Sequence, residues 1–161
     1  MAKLVFAVMM TVIWWMLHAL QMDEELALGT VHEAKRAVNR AAHAAAQQVD
    51  RDKLEVGELA LDADRAEMAA LAYLRENLRL DEGLAPLPGS FLKEPVRVLQ
   101  FAVIGPEVSF PYTYRNDTLG YEVTLRRPGV VLIVHLAFPR MFGVISPIEW
   151  DLKGSAEMVY V

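Results

Sequence analysis

Between Lys3 and Asp23 the chain carries no charged residue, so LVFAVMMTVIWWMLHALQM, Leu4 to Met22, is one largely apolar run. Coiled as an α-helix it extends roughly 28 Å at ~1.5 Å per residue, close to the ~30 Å hydrocarbon core of a bilayer. Such a segment either crosses a membrane or must be covered by protein, which constrains everything that follows it. No proline interrupts the passage into the polar, alanine-rich TVHEAKRAVNRAAHAAAQQVD, Thr30 to Asp50. The pattern predicts a membrane-embedded helix that continues as an amphipathic one over residues 1–50. A small soluble domain over residues 51–161 follows. Leu4, Phe6, Met9, Val12, Ile13, Met16 and Leu20 are the candidate residues for contact with lipid or with neighbouring helices.

The apolar run has two readings. As a cleavable secretory signal it has Lys3 as its charged start and Ala27-Leu28-Gly29 as a small-residue cleavage site. However, it exceeds the ~7–15 residues of an ordinary signal core, and Asp23-Glu24-Glu25 intervene before the site. These features favour a retained anchor. Lys3 on one side and three acids on the other place the domain outside, although Lys35, Arg36 and Arg40 pull the other way.

With 161 residues there is room for one small domain behind the anchor. Sixteen basic against 21 acidic residues give a net charge of -5, the wrong sign for a broad nucleic-acid surface. The chain has no cysteine, which excludes disulfides, thiol nucleophiles and Cys-based metal sites.

Past Gly29, the expected joint between the two helical parts, Val31, Ala34, Val38, Ala41, Ala42, Ala45 and Val49 recur at helical spacing. Of these, Ala34, Val38, Ala41, Ala42, Ala45 and Val49 form a narrow, small-residue packing stripe that permits close approach of another element. For Ala42 to Ala46 that element is either the chain's own domain or a second subunit. Asp50 to Asp62 reads as a connector with an extended piece at Leu59 to Leu61. Asp64 and Glu67 then fit a capping pair for a helix through Met68, Leu71, Leu74 and Leu78, closed by Gly83. LAPLPGS, Leu84 to Ser90, breaks any periodicity.

From Val96 onward the pattern is that of strands. VRVLQFAVI is followed by a hairpin in which Tyr112 and Tyr114 alternate, Asn116-Asp117 turn, and Tyr121, Val123 and Leu125 alternate back. VVLIVHLAF, Val130 to Phe138, is the best candidate for a buried central strand, ended by Pro139. A last strand alternates Ile148, Trp150 and Leu152, with a bulge expected at Gly154 before Met158 and Tyr160. Helices followed by an antiparallel sheet define an α+β class.

Catalytic signals are weak. His32-Glu33 opens like a helical zinc motif, but Arg36 stands where the second ligand belongs, and His43 lies about 16 Å further along the helix. His135 in the apolar strand reads as a hydrogen-bonded core residue, and His18 as an interfacial neighbour of Trp14 and Trp15. No phosphate-binding glycine loop is present, and Ser90, Ser109, Ser146 and Ser155 lack a nearby His in sequence. Tyr112, Tyr114 and Tyr121 form either an exposed aromatic platform or, more simply, cross-strand aromatic pairs within the sheet. The expectation is a non-enzymatic chain with no cofactor and no metal.

An apolar N-terminal helix that extends as a soluble helix to about residue 50, followed by an antiparallel sheet, resembles the type IV pilin superfamily. RAVNRAAHAAAQQVD, Arg36 to Asp50, is similar to the alanine-rich stretch that follows the membrane helix in TadE-like pseudopilins of Tad/Flp systems. The resemblance implies a subunit of an extracellular filament, inserted first in the cytoplasmic membrane. Its partners would be further copies of itself or other pilus subunits, with apolar helices bundled inside and sheets facing solvent. Pilins typically carry a Glu five residues into the mature helix; here Val5 stands at position 5 and the apolar run contains no Glu.

Overall fold

No proline occurs before Pro86, and in the computed structural model the first helix, α1, runs unbroken for 44 residues, Ala2–Ala45. The structure describes residues 1–138 and 147–159; Pro139, Ser146 and Tyr160 lie outside them. Gly29 is therefore not a joint: it sits inside continuous helix, in line with a cost of only ~1 kcal/mol for a lone glycine. After α1 come α2, Arg51–Glu55, and α3, Ala63–Leu78. The strands are β1, Arg97–Ile104; β2, Tyr112–Asn116; β3, Tyr121–Leu125; β4, Gly129–Phe138; and β5, Ile148–Glu157. The class is α+β.

The connector is more structured than its composition indicates. Asp50 caps the short α2 by accepting from the amides of Asp52 and Lys53, and Val49 pairs with Leu61 in an isolated antiparallel bridge. That bridge brings the chain into α3 extended, which makes Asp62 the cap: its side chain accepts from the Arg65 amide at 3.0 Å. The pair Asp64 and Glu67 does not cap. Asp64 sits one position inside the first turn, where a carboxylate still favours the helix dipole. At the far end Arg79, not Gly83, closes the helix in a left-handed conformation, φ 53°. The Ser90 hydroxyl donates to the Leu78 carbonyl at 2.8 Å, satisfying one of the orphan acceptors there. The buried face of α3 is Ala66, Ala70, Leu74 and Leu78, whereas Met68 is exposed. Those four are spaced at i, i+4, which places them one above another on a single face.

The strands form not one sheet but two. A three-stranded antiparallel sheet has the order β1-β4-β5, and β2 and β3 form a separate two-stranded hairpin. β4 is central and is covered on both faces. Val130, Leu132, Val134 and Leu136 join the core shared with α1 and α3, while Val131 and Ile133 join a second core under the hairpin. Alternation along one strand thus serves three layers: helices, sheet, hairpin. The bulge lies in β1, between Val98 and Gln100. β5 keeps regular register through Gly154, which pairs with Leu132. The reason for glycine there is proximity. A Cβ on Gly154 would stand 2.9 Å from Val38 Cγ1 and 3.2 Å from the Val38 carbonyl oxygen of α1.

Candidate functional site

The site of interest is α1, which has two different halves. In its apolar part a window of 18 residues has a mean hydropathy of 1.7, and none of that window is buried. The helix is long and apolar enough to cross a membrane and is compatible with a single-pass anchor. Leu4, Phe6, Met9, Val12, Ile13 and Met16 are all exposed, and Leu20 is half-buried. Cover starts at Asp23, only 2% exposed. Beyond it Ala27, Thr30, Ala34, Val38, Ala41 and Ala45 continue one buried stripe at three- and four-residue spacing.

Ala34, Val38, Ala41, Ala42 and Ala45 are fully buried within the chain's own core, which also includes Leu74, Leu132 and Leu152, and the half-buried Val49 packs against it. Ala37, Ala44 and Ala46 are buried beside them, so the covered band is broader than a narrow stripe, with α3 on one flank and β4 and β5 on the other. Of the two elements open for Ala42 to Ala46, the chain's own domain is the one that covers Ala42, Ala44, Ala45 and Ala46. Their small side chains already bring α1 into van der Waals contact with its own domain. Packing therefore joins the two pieces that the sequence separates at residue 50.

The other side of α1 carries what the apolar run conceals. Thr11, His18, Glu25, His32 and Asn39 follow one another at intervals of seven residues, and all five are exposed. At about 100° per residue, and with a drift of ~20° per seven residues, they stay within a band about 80° wide. That band lies opposite the buried stripe. The Thr11 hydroxyl donates to the Ala7 carbonyl at 2.9 Å, and the His18 ring packs on Trp14 with centroids 4.3 Å apart. The seven-residue recurrence of polar side chains is the signal that singles out this face, and reading Leu4 to Met22 as one uniform block misses it.

Further along, Gly29, His32, Glu33, Arg36, Arg40 and Asn77 line an open groove of about 410 Å³. Arg40 donates to the Asn77 side chain at 2.8 Å, tying α1 to the end of α3. Nothing stands within 4 Å of where a Cβ on Gly29 would lie. Lys35, on the flank, donates from Nζ to the Lys153 carbonyl. Burial, and then the nearby Lys153 ammonium, hold its pKa below the ordinary 10.5.

The remaining candidates fall into structural roles. His135 Nδ1 lies 2.8 Å from Asp151 Oδ1 across the β4–β5 ladder, and its Nε2 lies 3.9 Å from Glu149 Oε2. Tyr112, Tyr114 and Tyr121 pack into the core beneath the hairpin, and the Tyr121 hydroxyl donates to Ser155 at 3.2 Å. Their ladder partners are Leu125, Val123 and Asn116, so the register does not form the expected cross-strand aromatic pairs, and the rings pack on aliphatic and polar neighbours instead. Among the described residues no group of three or more His, Asp or Glu side chains could hold a metal ion. Comparison with family models, with curated proteins and with solved structures gives no match.

Proposed function

We propose that this chain is a structural subunit of a pilus-like extracellular filament of the type IV or Tad kind, assembling through its apolar helix. The observation that carries this reading is the division of α1: one unbroken helix whose first half projects bare and apolar while its second half is built into the domain. Before assembly the bare half spans the cytoplasmic membrane. The domain then lies outside, on the side of Asp23, Glu24 and Glu25 and opposite Lys3. Partners are further copies or other pilus subunits, and the role requires neither a cofactor nor catalysis.

Val5 and the absence of Glu from the apolar run favour a second reading. Without that carboxylate, the charge pairing by which pilins align neighbouring helices is missing, and the chain then acts as a single-pass accessory or binding module that does not polymerise. Shearing cells, pelleting the released material and examining it by electron microscopy and peptide mass spectrometry separates the two. Filaments containing peptides from Leu4 to Met22 support the subunit. Recovery only in the detergent-soluble membrane fraction supports the accessory module.

A further inference from the structure

We infer that the loop carrying α2 is a plug for the groove beside the last turn of α3 on a second copy of this chain, so that copies join head to tail through their soluble domains. The inference rests on the reading of the chain as an assembling subunit, and it adds which parts of two neighbouring domains meet.

The loop is ordered but contributes no core. Its ends are clasped where Val49 pairs with Leu61 and the Asp50 amide donates to the Ala60 carbonyl at 3.0 Å. Within it, the amides of Leu54 and Gly57 donate to the carbonyls of Asp50 and Leu54. Every residue from Arg51 to Glu58 is nevertheless exposed, Leu54 at 47% and Val56 at 79%. Folding gives no use for these two apolar side chains, and a compact loop that presents them at its tip is suited to binding. The groove has the matching character. Ala72, Arg75, Glu76, Arg79, Leu87 and Pro88 line an open space of about 460 Å³, and Leu87 is 45% exposed. Arg75 Nε is buried without an acceptor, and the Arg79 guanidinium has a long bond, 3.4 Å, to the Gly89 carbonyl. Among the described residues neither arginine forms an ion pair, nor do Lys53, Glu55, Glu58 or Glu76. Arg51 and Asp52 offset each other, so the loop sets Glu55, Glu58 and Lys53 around its apolar pair, and the groove sets Arg75, Arg79 and Glu76 around Leu87. The two surfaces match in apolar character and in charges of both signs.

Loop and groove lie at opposite ends of α3, about 24 Å apart at ~1.5 Å per residue over its 16 residues. The loop is therefore held too far from its own groove to fill it, and each joined pair still offers one free loop and one free groove. Such a contact between different surfaces propagates instead of closing a dimer.

Because the chain has no cysteine, replacements at the exposed Val56 and Ala72 report the contact in the full-length protein. Two tagged populations, one Val56→Cys and the other Ala72→Cys, are co-expressed, and the sheared material is oxidised. A disulfide needs Cα atoms within about 7 Å, so the expected product is the mixed one, and a chain carrying both replacements should give a ladder of dimers, trimers and longer species. Predominance of either like-with-like product, or a double variant that stops at dimers, overturns the head-to-tail arrangement. Filaments without the mixed product overturn this inference and leave the assembly reading standing, whereas neither filaments nor cross-links overturns both. Linkage of Val56→Cys only to a different protein overturns the second copy as the occupant. As a second measurement, Val56→Asp should cut the yield of filaments at least about tenfold, with the circular dichroism of the monomer unchanged; undiminished assembly overturns the plug.

Discussion

Gly154 is the residue at which helix and sheet come closest, and the distances to Val38 set what any side chain there would do. Gly154→Val should destabilise the chain by about 1–3 kcal/mol through overpacking. Pairing it with Val38→Ala should recover part of that loss, a non-additivity expected of residues in contact; thermal unfolding of the four proteins in detergent checks both. Lys35 gives a second prediction at this scale. Its folded pKa lies below the unfolded 10.5, so between those two values the unfolded chain binds more protons and stability rises with pH. Below the folded value both states are protonated and the penalty is present in full. Lys35→Met should therefore show a smaller rise in stability from about pH 7 to about pH 10 than the parent. Denaturant titrations at the two pH values measure this, and an unchanged slope would contradict it.

At the scale of elements, the caps separate what sequence periodicity conveys from what tertiary structure decides. Asp62→Ala should cost about 1 kcal/mol by leaving the Arg65 amide without its acceptor, whereas Asp64→Ala should change stability by well under half of that. Circular dichroism melts of the two variants distinguish the structure's cap from the one that spacing predicts. Helix and strand order were legible from residues such as Leu74, Leu78, Tyr121 and Val123, whose period reports the buried face directly. The ends of α3 were not, because a bridge between Val49 and Leu61 and a hydroxyl from Ser90 place them, and these partners lie 12 or more positions away. Gly154 was misread for a related reason. A glycine within a strand signals either a bulge or a close approach, and only the position of Val38 decides between them.

At the scale of the whole molecule, the apolar run and its likeness to a membrane helix were plain in the sequence. The three-layer arrangement was not, since nothing local tells Val131 from Val130 on a strand buried on both faces. The candidate face of α1 was readable in principle from the recurrence of Thr11, His18, Glu25, His32 and Asn39, but only burial shows which side the domain occupies. Ile13→Arg, at the centre of the apolar run, should add ~2.5–3.5 kcal/mol to membrane insertion. The variant should shift from the carbonate-resistant to the extractable fraction, while Met68→Arg on the exposed side of α3 should not.

The location of Lys153 and Gly154 against α1 also has a consequence in time. The Lys35–Lys153 hydrogen bond spans 118 positions, so the side of α1 that faces β5 acquires its cover long after α3 has covered the other flank. On the proposed reading the helix is held at one end in the bilayer, and the sheet side of its other half stays open beside the membrane surface until β5 is in place. On that reading the sheet closes last onto a tethered template, and a chain that stalls before β5 leaves Val38 and its neighbours without that cover.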